Sequence, residues 1–418
     1  MRSNSRIYLG TDDLLDRKLS FAVCFQVTVV GIKNELVQAI PILYRYSNVL
    51  NMALLVILMG IYGYAVFKSG RRFVHMRATS FVVLLFVILS FIRSPLSSRN
   101  NIPVMLEWLP RFLPFCILTY LLLSELRSTY WIEYYMTRFC YAIVFFAMVS
   151  ALFIYRNGHI ASSDWNTYSM PLSYATLTGV MWLMYRYFKF GKWYDVLMAL
   201  AGIAVIVMYG SRNPLLAIGA YFVVQLFRSV VASNASSWKK MLCVILILFL
   251  IVAVIRMDLI INLLIQILSL FNVSSRTLNL LAESTADFTS GRDVIHSAIF
   301  ARLSRNPFIG LGVGGDVGIV GDLSHGLFMS LLSTYGLLFG PVVILVMLWF
   351  VLKGYRKASP FTREIVLLYI CLVLPRAFTS IDVWSYDVFW WMLGVCAVAV
   401  NASPLMERLQ MLRTALQE

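Results

Sequence analysis

The sequence predicts an all-α polytopic membrane protein with about twelve transmembrane helices and one long, partly helical extracytoplasmic loop. Three observations predict it. Hydrophobic residues make up 60% of the 418-residue chain and charged residues only 13%, against about 25% charged in an ordinary soluble domain. A chain that apolar cannot cover itself with polar surface, so the excess must face lipid. The apolar residues also fall into runs close to the roughly 17–25 residues that cross a bilayer, and basic residues collect in the short connections between those runs. The net charge of +15 would suit a nucleic-acid partner if it were concentrated on one face, but it is dispersed among those connections, which argues against nucleic acid.

The runs lie at 19–40, 48–67, 78–94, 102–123, 137–155, 167–188, 194–210, 213–231, 239–257, 325–352, 364–381 and 385–402. Pro110, Arg111 and Pro114 interrupt the fourth and predict a kink there. The apolar stretch 258–271 is too short to span and reads as interfacial. Glu107 is the main candidate for a buried acid within a run, and it falls on the same helix face as Arg111. Cys24, Cys116, Cys140, Cys243, Cys371 and Cys396 all sit inside apolar runs without CxxC or CxxH spacing, so they read as small hydrophobes. The polar first eighteen residues, with Asp12, Asp13 and Asp16, are not those of a cleavable leader.

The distribution of Lys and Arg sets the orientation. With both termini in the cytoplasm, the inner connections and span ends carry Arg17, Lys18, Lys68, Arg71, Arg72, Arg77, Arg186, Lys189, Lys192, Lys239, Lys240, Lys353, Arg356, Lys357 and Arg363. The outer connections carry fewer basic residues, and an even number of spans agrees with that bias. The segment 258–324 then lies outside. Every other connection is short, and a long one in a compact protein is usually functional or disordered. Ser290 and Asp293 have the spacing of a helix cap and its acid. Val294, Ile295, Ala298, Ile299 and Leu303 follow at helical spacing, predicting an amphipathic helix from Gly291 to Arg305 that Pro307 and later glycines end. No internal repeat or separate soluble domain is evident, so residues 1–418 read as one integral-membrane domain.

Three places on the outer side break a local rule. In Gly210-Ser211-Arg212-Asn213-Pro214 a cation opens a helix, against the dipole. A bound anion would reverse that penalty, and an arginine reaching to lipid headgroups would avoid it. In Ser290-Gly291-Arg292-Asp293 a second cation opens the loop helix, with His296 on the same face as Arg292 and Arg302 close to it. That face reads equally as a ligand site or as a solvated surface. In Ser324-His325-Gly326 a histidine precedes the tenth run, with Ser324 placed to cap it. A helix N-terminus favours the neutral imidazole, which can act as a general base, and a structural histidine is the alternative. Between the last two places, Gly310-Leu311-Gly312-Val313-Gly314-Gly315-Asp316 could present backbone N–H groups to phosphate or simply form a turn. It lacks the strand and lysine of a nucleotide loop. Arg376 lies near the outer end of the eleventh run, with Asp382 and Asp387 as available partners. His75, His159, His296 and His325 are scattered, so no metal cluster is expected.

The order of these features resembles the O-antigen polymerase and ligase superfamily, the integral-membrane glycosyltransferases of the Wzy and WaaL type. The resemblance rests on Gly-Ser-Arg at 210–212, Ser-Gly-Arg-Asp at 290–293 and Asn-Pro-Phe-Ile-Gly-Leu-Gly at 306–312. It continues with His325 followed by Leu327, Leu331, Leu332, Gly336 and Gly340. It covers about a third of the chain closely. The family often has Asn directly after its histidine, where this chain has Gly326. The resemblance implies a GT-C-like fold in a bacterial inner membrane and a reaction on the outer face. It implies a glycan donor on undecaprenyl diphosphate, inversion at the transferred sugar, and no cofactor or metal. It places Arg212 and Arg292 on the diphosphate and makes His325 the base that activates the acceptor hydroxyl. Arg302, Arg305 and Arg376 would assist on the diphosphate, with Ser211, Asp293, His296 and Ser324 in supporting positions. Expected partners are the lipid-linked oligosaccharide, membrane lipid, a chain-length regulator and other polysaccharide-export proteins. A polymerase joining repeat units and a ligase moving a finished glycan to lipid A core both fit. A transporter or flippase is the competing class; few ionisable groups are expected deep in the spans, which argues against it.

Overall fold

The computed structural model describes residues 2–68, 76–157, 169–231, 292–305, 307–321, 323–378 and 382–401, with Met241, Asn262, Ile265 and Gln266. All regular structure among them is helical. In chain order the helices are α1 (Arg2–Ala39), α2 (Pro41–Arg45), α3 (Ser47–Lys68), α4 (Ala78–Ser97), α5 (Asn101–Ser124), α6 (Tyr130–Asn157) and α7 (Met170–Phe190). They continue with α8 (Trp193–Tyr209), α9 (Arg212–Val231), α10 (Arg292–Arg305), the short α11 (Val317–Val320), α12 (Leu327–Lys357), α13 (Pro360–Ala377) and α14 (Asp387–Asn401). A helix stands at each predicted apolar run except 239–257, which apart from Met241 lies outside the described residues, as does most of 258–271.

Among the described residues, six helices are long and apolar enough to cross a membrane: α1 from Asp13, α3, α4, α5, α6 and α12. Their faces confirm the solvent they need. On α3, Val56 is 68% and Phe67 79% exposed, and α12 exposes Val342, Leu345, Val346 and Trp349. Contiguous aliphatic surface of that kind belongs in lipid. The protein is therefore an all-helical membrane protein. The predicted kink in α5 is present as a π-turn at Leu113–Ile117, where Pro110 and Pro114 each remove a backbone donor.

The chain divides into two compact units. The first comprises Met1–Val27, Asn51–Met136 and Thr289–Glu418. Its centre is α14, buried without interruption from Phe389 to Ala399 and packed by α5, α12 and α13. Close packing is possible because Gly354 of α12 lies against Cys396, and Gly394 of α14 lies against Leu123 of α5. The second unit comprises Thr28–Leu50 and Thr137–Phe288. There Gly179 of α7 and Gly202 of α8 let those helices close on Val144 of α6. Ala39, Ala147, Ile154, Leu172 and Tyr209 form an apolar cluster beside them. The five described cysteines are buried and form no disulfide with one another, as expected of small hydrophobes.

One internal break organises the part of the first unit around the start of α12. Helix α12 is interrupted at Gly336, whose φ of 88° and ψ of 171° are open essentially only to glycine. The break leaves the carbonyls of Ser333 and Thr334 without their helical donors' geometry, and the glycine-rich segment fills the gap. Leu311 N–H donates to Ser333 O (2.6 Å) and Gly312 N–H to Thr334 O (3.2 Å), while Leu338 N–H donates to Pro307 O (3.3 Å). Gly310 sits so close that a Cβ there would run into Thr334 O and Gly336 N. Gly336→Ala should therefore cost about 1–3 kcal/mol of stability. Thermal unfolding in detergent should show a clear drop in Tm, and a Tm equal to the parent's would mean that the break is not a glycine-only conformation.

Candidate functional site

The residues around the glycine-rich segment build one continuous arrangement within the first unit. Gly312 and Gly314 have φ of 85° and 75°, which let the chain turn twice in three residues. Asn101 and Ser94 then fix the turn from outside: Asn101 Nδ2 donates to Leu311 O (2.7 Å) and Ser94 Oγ to Val313 O (2.7 Å). Gly315 N–H donates to Gly312 O. The turn is thus a packed structural corner. The N–H groups of Leu311, Gly312 and Gly315 are engaged by protein carbonyls, so three of the donors that a phosphate cradle would use are already taken.

The corner delivers Asp316 to the segment before α12. Asp316 Oδ2 accepts from Ser324 N–H (3.0 Å). On the other side of the same residue, Ser324 O lies 2.9 Å from His296 Nε2. A carbonyl only accepts, so His296 is the donor and its Nε2 carries a proton. Ser324 is held at both its peptide groups. Directly after it, His325 has φ of 52°, the one positive φ among the described non-glycine residues. Such a conformation costs energy and persists where its surroundings impose it. The expected cap is not there: Ser324 does not cap α12, which starts at Leu327 with Gly326 at the cap position and no side-chain cap. The clamped, left-handed corner takes the chain away from the geometry that a serine cap requires.

A second buried carboxylate completes the floor. Asp382 Oδ1 accepts from Ser330 Oγ (3.0 Å) and from Trp384 N–H (2.8 Å). Burial pushes its carboxyl up to about 7, with the nearby Asp316 charge adding to the shift. Burial likewise raises Asp316, opposed by the hydrogen bond from Ser324 N–H. Arg376, at the end of α13, places its guanidinium 4.3 Å from the centre of the Tyr386 ring. That contact had no sequence signal beyond the two aspartates beside it.

Helix α10 supplies the remaining predicted residues. It starts at Arg292 and ends at Arg305 as the periodicity requires, and it buries Ile299 and Leu303. Val294, expected on the apolar face, is 72% exposed. Arg292 and His296 are half-buried, whereas Asp293, Arg302 and Arg305 are exposed. Ser290, Gly291 and Asn306 lie outside the described residues.

Arg212 opens α9 in the second unit, after Gly210 in a left-handed conformation and a buried Ser211. The turn that carries it rests on an acid not anticipated from the sequence. Glu35 of α1 is fully buried and accepts from Thr176 Oγ1 (2.8 Å) and from Tyr209 Oη (2.7 Å). Ser150 Oγ donates to the Glu35 carbonyl (2.9 Å), and Ser169 N–H to the Tyr209 carbonyl (3.1 Å). Glu107, the acid expected to be buried, is exposed, as is Arg111. The α5 surface that carries them is not a packed one. Asp195 is a further buried acid, paired with Arg186 (3.2 Å) and Tyr141. The signal for Glu35 was an acid inside the first apolar run, where it must find partners to be tolerated.

No protein-family model matches the chain, and no curated protein matches it.

Two outcomes are expected. Tyr209→Phe removes a donor from a buried carboxylate and should cost about 1–3 kcal/mol, read as a lower Tm; an unchanged Tm would mean that water replaces the hydroxyl. The second concerns pH. Folded Asp382 holds its proton more tightly than an unfolded aspartate, which titrates near about 3.9. Its contribution is complete below that value and is lost as pH rises toward about 7. Asp382→Asn keeps an oxygen for Ser330 and Trp384 and has no charge to lose, so its Tm should fall less across that window. A Tm–pH profile parallel to the parent's would contradict the assignment.

Proposed function

We propose that the protein is a polysaccharide polymerase of the O-antigen or capsule type. It transfers a glycan from undecaprenyl diphosphate to a sugar hydroxyl of another lipid-linked repeat unit, at the outer face of a bacterial inner membrane. The observation that carries the reading is His325, held in a left-handed conformation at the mouth of α12 by a clamp on the residue before it. Strain imposed on a histidine next to a residue gripped by a buried carboxylate is costly, and such strain clusters where geometry serves chemistry. The sequence pattern from Gly210 to Gly340 supplies the reaction class, and about twelve spans, counting runs beyond the six longest, supply the outward orientation.

In this reaction His325 takes the proton of the acceptor hydroxyl. The oxygen attacks the anomeric carbon from the face opposite the diphosphate, forming the new glycosidic bond as the carbon–oxygen bond to phosphate breaks. Inversion results from that geometry. The sequence resemblance assigns the leaving diphosphate to Arg212 and Arg292, and the planar fork of an arginine binds phosphate oxygens in pairs. Preorganised cations in a sheltered site stabilise the charge as it develops. Arg376 is a further cation for the same group, held by Tyr386; Arg302 and Arg305 are exposed and serve at most the approach of the anionic donor.

His325→Ala should abolish chain growth in cells while membrane insertion persists, since a general base contributes about 10²–10⁴-fold. Arg212→Lys and Arg292→Lys should each be severe, because a point charge does not replace a fork. Full chain growth in the histidine variant removes the base. Wild-type turnover in both lysine variants removes the diphosphate clamp. A product built on lipid A core in place of a lengthened lipid-linked chain would make the enzyme a ligase using the same donor chemistry.

A further inference from the structure

At the end of the first unit where α3 finishes, an open crevice of about 530 Å³ runs between α1 and α3. It takes no part in the arrangement around His325. Its walls are apolar, with Phe21 on α1 and Ile57 and Ile61 on α3. Gly60 faces its open space: a Cβ at that position would meet nothing within 4 Å. Its mouth is different in kind, since Arg17, Lys18, Tyr64 and Tyr135 stand there. Lys18 Nζ is 5.3 Å from the centre of the Tyr64 ring, so two cations, Arg17 and Lys18, line the opening, and Lys68, 6.0 Å from the same ring, stands beyond it. Arg17 lies over Trp131 (5.2 Å) and donates from Nε to Tyr135 Oη (3.3 Å). The neighbouring acids face inward: Asp13 accepts from Trp131 Nε1 (3.0 Å), and buried Asp16 accepts from the Arg127 backbone N–H (3.2 Å).

The surroundings specify what fills such a crevice. Both helices are long and apolar enough to cross a membrane, and water in an apolar slot lacks the polar partners it needs. A hydrocarbon chain has none to lose. The volume falls in the range of about 300–1,000 Å³ typical of small-ligand sites. The aromatic and basic residues at the mouth mark the level of headgroups. Basic pockets beside transmembrane helices select anionic headgroups. A zwitterionic headgroup would bring its own ammonium toward these cations, whereas a net negative one would not.

We infer that this crevice binds one anionic glycerophospholipid, with an acyl chain against Gly60 and Ile61 and its phosphate between Arg17 and Lys18. The site is independent of the glycan reaction and stands or falls without it. The test uses the full chain, purified in mild detergent and titrated with phosphatidylglycerol or phosphatidylcholine, with bound lipid counted by native mass spectrometry. The parent should retain phosphatidylglycerol several-fold better than phosphatidylcholine. The R17Q/K18Q double variant should lose that preference and bind both lipids at the phosphatidylcholine level. Gly60→Leu, which fills the slot and leaves the cations in place, should lower retention of both lipids without changing Tm. Equal retention of the two lipids by the parent, or undiminished phosphatidylglycerol on either variant, would overturn the site.

Discussion

The conformation of His325 depends on a break in the helix that comes after it. Gly336 opens α12 and frees two carbonyls, and the backbone of Leu311 and Gly312 takes them up. That pairing fixes the glycine corner, the corner delivers Asp316, and Asp316 with His296 grips Ser324 on both sides. Each link is a hydrogen bond that a buried backbone would otherwise leave unmade, at a cost of about 1–3 kcal/mol apiece. The series is therefore mutually enforcing: loosening one member strands polar groups in the next. A strained residue can be kept in place only by surroundings of that kind.

The second unit solves a related problem with different means. A carboxylate inside an apolar helix is expensive unless its oxygens are satisfied. Glu35 meets that demand with hydroxyls from Thr176 and Tyr209 rather than with a cation. Tyr209 is also the last residue of α8, so the partner that satisfies Glu35 anchors the turn into Gly210, Ser211 and Arg212. In the proposed reaction that turn carries a diphosphate ligand, and the buried acid is what gives it a fixed footing.

Much of the helical layout was legible because apolar runs of membrane length declare themselves in a single sequence, and the prolines of α5 declared its π-turn. The loop helix was legible from the spacing of Ile299 and Leu303. The corner was not. A glycine-rich string reads alike whether its N–H groups face a ligand or the carbonyls of a broken helix, and nothing local to 310–316 reveals the break at Gly336. Ser324 looked like a cap because serine before a helix usually is one; only the third dimension shows both its peptide groups already engaged. Glu107 and Glu35 were symmetrical as letters, an acid within an apolar run. Which of them is buried depends on partners more than a hundred residues away, such as Thr176 and Tyr209, and periodicity carries no information about those.

In the proposed reaction the strained histidine and the arginines serve glycosidic bond formation at the expense of a lipid diphosphate. The most direct measurement is the stoichiometry of a purified, reconstituted reaction supplied with a short undecaprenyl-diphosphate-linked oligosaccharide. One free undecaprenyl diphosphate should be released for each new glycosidic bond. Movement of the intact lipid-linked oligosaccharide across the bilayer, with no bond formed and no diphosphate released, would contradict it and make the protein a transporter.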